Sequence, residues 1–157
     1  MSRQKSHAFT LVEILIVVVI MAVLTAIVVP QFAGSTDGAK SSTAEFNLGS
    51  VRSVIQTYRA DHEGAKPSFP AGATTIDGLT KETNTLGVAT TGGGLGPYLV
   101  AMPENPFTGK ATVKAVTTAG TPPGAAHVTA GGIGGWIYDA STGNLWLDSN
   151  TQGEYAW

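Results

Sequence analysis

Apolar positions are concentrated in one block at the front of the chain. Residues 9–29 read FTLVEILIVVVIMAVLTAIVV, and only Thr10, Glu13 and Thr25 interrupt the run. No period of 3.6 residues is visible, so the segment is apolar on every side and calls for lipid or a deep core. A chain of 157 residues builds no core deep enough to hide it. About 20 apolar residues span the roughly 30 Å hydrocarbon layer, so the pattern predicts a membrane-crossing helix over residues 9–30. Arg3 and Lys5 precede the block. The positive-inside rule then puts the N-terminus in the cytoplasm and the remainder outside. An ordinary secretory signal carries a shorter apolar stretch of about 7–15 residues.

The pattern changes after Pro30. Proline lacks an N–H and crowds the carbonyl four residues back, here Ala26. Gly34 and Gly38 each cost about 1 kcal/mol against Ala in a helix interior. Residues 26–38 therefore form a weak stretch in which a kink or local break is expected. Further on, Phe46 and then Val51, Val54, Ile55, Tyr58 and His62 are spaced helically, the last five at intervals of three and four, which predicts an amphipathic helix over residues 31–63. Gly64, Pro67 and Pro70 end it. Helical throughout, residues 9–63 would reach roughly 80 Å.

Residues 64–157 read as a small head. Residues 75–82 suit a short helix burying Ile76 and Leu79. Residues 111–116 alternate and are rich in β-branched side chains, which predicts a strand. Residues 120–124 carry Pro122 and Pro123 and form a turn. Residues 136–139 and 144–148 predict a hairpin around residues 140–143, with Trp136, Tyr138 and Trp146 in its core. Three antiparallel strands are the least that could hold an amphipathic helix face. The expected fold class is α+β, a long helix packed on a small antiparallel sheet.

Composition narrows the function. There is no Cys, which excludes a disulfide scaffold, a thiolate nucleophile and a Cys-based zinc site. The net charge of −2 provides no electrostatic footprint for nucleic acid. His7, His62 and His127 sit apart, and Asp61 beside His62 does not share its helix face. The glycines at 92–96 fit no phosphate-binding loop. No arrangement asks for a nucleophile or general base, so the chain reads as a non-enzyme.

Glu13 is the most informative residue. A carboxylate within a spanning helix costs about 2.5–3.5 kcal/mol on insertion scales, and its usual reading is functional, with a charged partner. The alternative is a carboxylate near enough to the cytoplasmic interface to stay wet.

Ala8-Phe9-Thr10-Leu11-Val12-Glu13, an apolar helix and Pro30 together resemble the start of type IV prepilins and type II secretion pseudopilins. The resemblance covers about residues 1–32 and implies a leader of residues 1–8. A prepilin peptidase would cut between Ala8 and Phe9, where the family prefers Gly in place of Ala8. Phe9 would then be N-methylated, Glu13 would be the assembly glutamate and Pro30 the helix-kinking proline. Cleavage would create an α-amine on Phe9 four residues from Glu13. Within one chain the two are i,i+4 neighbours; between chains, the same pair would set the axial register of a filament.

The head adds looser matches. Gly96-Pro97-Tyr98-Leu99 and Met102-Pro103-Glu104-Asn105-Pro106-Phe107 resemble the segment of major pseudopilins that leads into their sheet. The family resemblance implies a filament of identical subunits, with inner-membrane lipid, the secretion platform and minor pseudopilins as further partners. A type IV pilus subunit, major or minor, and a membrane-anchored periplasmic binding module are the alternatives. No cofactor is expected, except that some major pseudopilins bind calcium in C-terminal loops. Asp139, Asp148 and Asn150 offer oxygen ligands of the kind calcium prefers; as solvated turn residues they would need no metal.

Overall fold

A computed structural model describes residues 9–128, 134–150 and 153–157, with side chains 29–35 outside the described set. Two compact units divide the chain at Ala39/Lys40. The long helix α1, Leu11–Asp61, contributes to both.

In the first unit α1 is apolar on all sides. Leu11–Val28 is long and apolar enough to cross a membrane, and none of it is buried within the chain. The backbone stays helical through Pro30, Gly34 and Gly38. The local break expected over residues 26–38 does not form, because the backbone hydrogen bonds on either side of Pro30 carry the helix through.

In the second unit α1 turns amphipathic. Its buried positions are Ala44, Leu48, Val51, Ile55 and Tyr58, continued by His62 just past its end, alternating steps of four and three that place one stripe along the helix. Val54 packs beside this stripe. Phe46 does not belong to it and is 75% exposed. The reason is geometric, because two residues correspond to about 200° of helix turn, which puts Phe46 on the side away from Ala44 and Leu48.

The stripe rests on a small sheet. Its strands are β1 (Val113–Ala115), β2 (Trp136–Asp139) and β3 (Asn144–Leu147), in the order β1-β2-β3. Alternation along β2 and β3 sends Trp136, Tyr138, Leu145 and Leu147 into the same cluster as the α1 stripe. Ile137 and Trp146, which face each other across the ladder, are also buried. A four-residue helix, α2 (Asp77–Thr80), adds Ile76 and Leu79. The α+β class, the hairpin and the short helix thus form where the pattern places them.

One pairing differs. β2 and β3 are antiparallel, but β1 runs parallel to β2, with Val113 opposite Trp136 and Ala115 opposite Tyr138. The sheet is mixed, not wholly antiparallel. A parallel pair needs a crossover of a dozen or more residues, and residues 116–135 supply one.

Polar anchors finish the head. The Arg52 guanidinium donates from Nε and Nη2 to the Leu145 carbonyl, at 3.1 and 2.8 Å. Its Nη2 also donates to the Trp157 carbonyl at 2.6 Å. One side chain of α1 therefore holds both β3 and the C-terminal segment. His62 stacks on Tyr58 with ring centroids 3.8 Å apart. Its Nδ1 lies 2.8 Å from the Tyr58 carbonyl, which can only accept, so Nδ1 carries the proton. Nε2 then accepts from the Thr83 hydroxyl at 3.0 Å. This is a satisfied core histidine.

Candidate assembly site at the start of the long helix

The first turn of α1 has N–H groups with no partner in the helix. Thr10 and Glu13 satisfy them reciprocally. A Glu13 carboxylate oxygen accepts from the Thr10 amide at 2.9 Å and from the Thr10 hydroxyl at 2.9 Å. The Glu13 amide donates to the Thr10 hydroxyl oxygen at 3.3 Å. This is a capping box, with the carboxylate reaching back over the helix N-terminus. The positive end of the helix dipole favours an anion there. Phe9, just outside the box, is 81% exposed.

The box gives Glu13 a double character. Within one chain its carboxylate has two donors, both from Thr10. It also lies at the chain end from which a new amine on Phe9 would project. Residues 1–8, including Ala8 and the expected cut, lie outside the described residues, as does the Pro30 side chain. Sequence reasoning missed Thr10, although Thr-x-x-Glu before an apolar run is itself a helix-start signature.

The second group of candidates lies on and just after the β2–β3 hairpin, and its two carboxylates are held apart. Asp139 pairs with Asn144 beside the turn, while Asp148 follows Leu147, opposite Trp136 at the far end. Each carboxylate has its own partners. Asp139 Oδ1 accepts from the Ser141 amide and hydroxyl at 2.8 and 2.6 Å. Its Oδ2 accepts from the Gly120 amide at 2.7 Å and the Thr142 hydroxyl at 2.9 Å. Burial alone would raise the Asp139 pKa, but these hydrogen bonds outweigh it and hold the group down at about 2. Asp148 forms an ion pair with Lys114 at 2.9 Å, and the same ammonium donates to the His127 carbonyl at 2.7 Å. Asn150 is exposed. Calcium takes 6–8 oxygens around one point, and Asp139 and Asp148 stand at opposite ends of the β2–β3 ladder. Among the described residues no cluster of three or more His, Cys, Asp or Glu side chains is placed to hold a metal.

A family model matches the same end of the chain. Residues 3–29 match the prokaryotic N-terminal methylation motif. Over 82 residues the chain is 35% identical to the type II secretion system core protein G of Pseudomonas aeruginosa, covering 52% of this chain and 55% of that one. It is 36% identical over 62 residues to the core protein G of Klebsiella michiganensis, covering 40% and 44%. It is 41% identical over 58 residues to the type IV narrow pilus major component PilA5 of Thermus thermophilus, covering 36% and 50%. The chain spans about half the length of these curated relatives. No solved structure matches it. The pilin-like resemblance carried by residues 8–13 is borne out by the motif and by these relatives.

Proposed function

We propose that this chain is the structural subunit of a pilus-like filament of a type II secretion system, assembled from the bacterial inner membrane to drive protein export. One observation carries the reading. Leu11–Val28 is apolar throughout and wholly unburied within its own chain, and it opens with a single carboxylate held back over the helix N-terminus. Such a helix suits lipid before assembly and other subunits after it. The methylation motif and the core protein G relatives support the same reading.

The subunit crosses the membrane once, with its N-terminus in the cytoplasm and its head outside. The prepilin peptidase cuts between Ala8 and Phe9, and the Phe9 amine is methylated. In the low-dielectric filament core that cation and the Glu13 anion are each costly alone and far less so together. The amine of an incoming subunit meets the Glu13 of the subunit before it, which fixes the axial step. The secretion platform and minor subunits act as its assembly partners.

A type IV pilus subunit is the second reading, and the Thermus relative favours it. Deleting the coding sequence separates the two. Loss of exported proteins from the medium with surface pili intact supports the secretion filament, whereas loss of pili with normal export supports the pilus. Intact mass of the protein from its own host tests processing. A chain beginning at methylated Phe9 is expected, and one retaining Met1 would refute the scheme.

A further inference from the structure

We infer that Arg52 and residues 153–157 form a strap over the outer edge of β3, and that this strap keeps the edge from adding a strand of a second copy. The strap lies within the head, so it serves whichever filament the chain builds.

β3 ends the sheet, so one side of it faces no strand. The Asp148 amide donates to the Gly135 carbonyl at 3.0 Å. Bonded pairs alternate along an antiparallel ladder, so in this register Asn144 and Trp146 bond toward β2. Leu145 and Leu147 therefore turn their amides and carbonyls outward.

The strand does little to guard that side itself. Residues 144–147 read NLWL, with no charge and no proline, a composition prone to pair with copies of itself. Native edges are usually blunted by a charge or a proline. β1, at the other edge, carries Lys114, and its Val113 amide is covered, donating to the Thr74 carbonyl at 2.9 Å.

For β3 the charge comes from α1. The Arg52 guanidinium occupies the Leu145 carbonyl through Nε and Nη2, and that carbonyl is an outward acceptor an incoming strand would need. Nη2 also holds the Trp157 carbonyl. The short turn Glu154–Ala156 packs against β3. Glu154 is fully buried there, and Trp157 rests on the core cluster. With a guanidinium on its acceptor and a chain segment laid beside it, the edge is closed to strand addition. Lifting the strap uncovers an edge that matches the same edge of another copy, in a two-fold antiparallel pair that closes as a dimer.

The absence of Cys from the chain permits a direct test. Asn144 is exposed on β3, and Thr91 is exposed elsewhere on the head. Asn144→Cys and, as a control, Thr91→Cys are each oxidised in membranes of expressing cells, with Arg52 intact and with Arg52→Met, which keeps an apolar stem and removes the donors. Asn144→Cys with Arg52 intact should give little disulfide dimer. Adding Arg52→Met should raise that dimer about ten-fold, the change in open population on losing a charge-assisted hydrogen bond, and carboxypeptidase should release residues 153–157 faster. The Thr91→Cys control should not change. Faster release without more dimer would overturn the guarding role, and unchanged release would overturn the strap. An equal rise at both positions would mean general unfolding of the head and would overturn both. Gly153→Ala keeps the test open where Arg52→Met does not fold. Gly153 has φ +85°, and a Cβ there meets open space, so the substitution strains the strap backbone alone. It should also raise the Asn144→Cys dimer, and no rise would overturn the proposal.

Discussion

The Glu13 carboxylate is held by Thr10, whose amide and hydroxyl both donate to it at 2.9 Å. A charge that reads as costly in an apolar helix thus has a local use before any partner arrives. It satisfies an amide that the helix cannot, and the hydroxyl keeps it turned toward the chain end.

Substitutions at Glu13 separate capping from charge. Glu13→Gln keeps an acceptor for Thr10 and loses the anion, while Glu13→Leu loses both. Both variants should still insert, and with the leader intact both should still be cleaved. Filament yield should collapse in both, because an incoming Phe9 amine would have no counter-ion. Mixing Glu13→Leu with wild-type chains should depress wild-type filaments too, which an intrachain pair would not do. Sheared-filament yield at matched membrane levels is the measurement, and normal yield from Glu13→Gln would rule out a charge-based role.

Asp139 is an acid-sensitive residue of the head. Its folded pKa of about 2 lies below the ordinary 3.8. Its stabilising contribution is therefore fully present above about pH 4 and is lost as the pH falls toward 2. Asp139→Asn should cost about 1–3 kcal/mol at neutral pH, because the amide puts an NH2 donor where one of the two accepting oxygens stood. It should also flatten the stability curve between pH 4 and pH 2. Thermal melts across that range would show it; a parallel downward shift with unchanged slope would contradict the assignment.

Arg52 should be irreplaceable by Lys. Its planar fork reaches Leu145 and Trp157 at once, and an ammonium lacks that geometry. Arg52→Lys is expected to destabilise the head by about 1–3 kcal/mol. The C-terminal segment should become more open to carboxypeptidase than in the parent chain, and equal digestion rates would count against the anchor.

Residues 30–38 are expected to change on assembly. The helix is continuous there in the single chain, yet proline and two glycines leave it weakly held. In a filament this stretch should unwind, lengthening from about 1.5 to about 3.3 Å per residue. A filament map showing unbroken α-helix over residues 26–40 would refute this.

Much of this was legible along the chain because it depends on local periodicity. Val51, Ile55, Tyr58 and His62 announce one helix face, and Trp136 to Leu147 announce a hairpin. Phe46 misled because side-chain size was read ahead of helix angle, while the small Ala44 holds the buried position. Arg52 carried no signal, since its partners lie 93 and 105 residues further along. The direction of β1 was equally hidden, as the pattern of side chains on a strand does not reveal which way its neighbour runs. Thr10 could have been found from the spacing to Glu13.

The parallel seat of β1 beside β2 also sets a sequence of events in folding. The hairpin needs only the four residues 140–143 to close, whereas β1 must bring residues 116–135 around first. Loop-closure entropy makes the longer step costlier by about 1.4 kcal/mol, so the hairpin zips early and β1 docks late. In that interval one edge of β2 is an open template for any passing strand. Until β1 docks, that edge leaves the head open to strand exchange with a neighbouring chain.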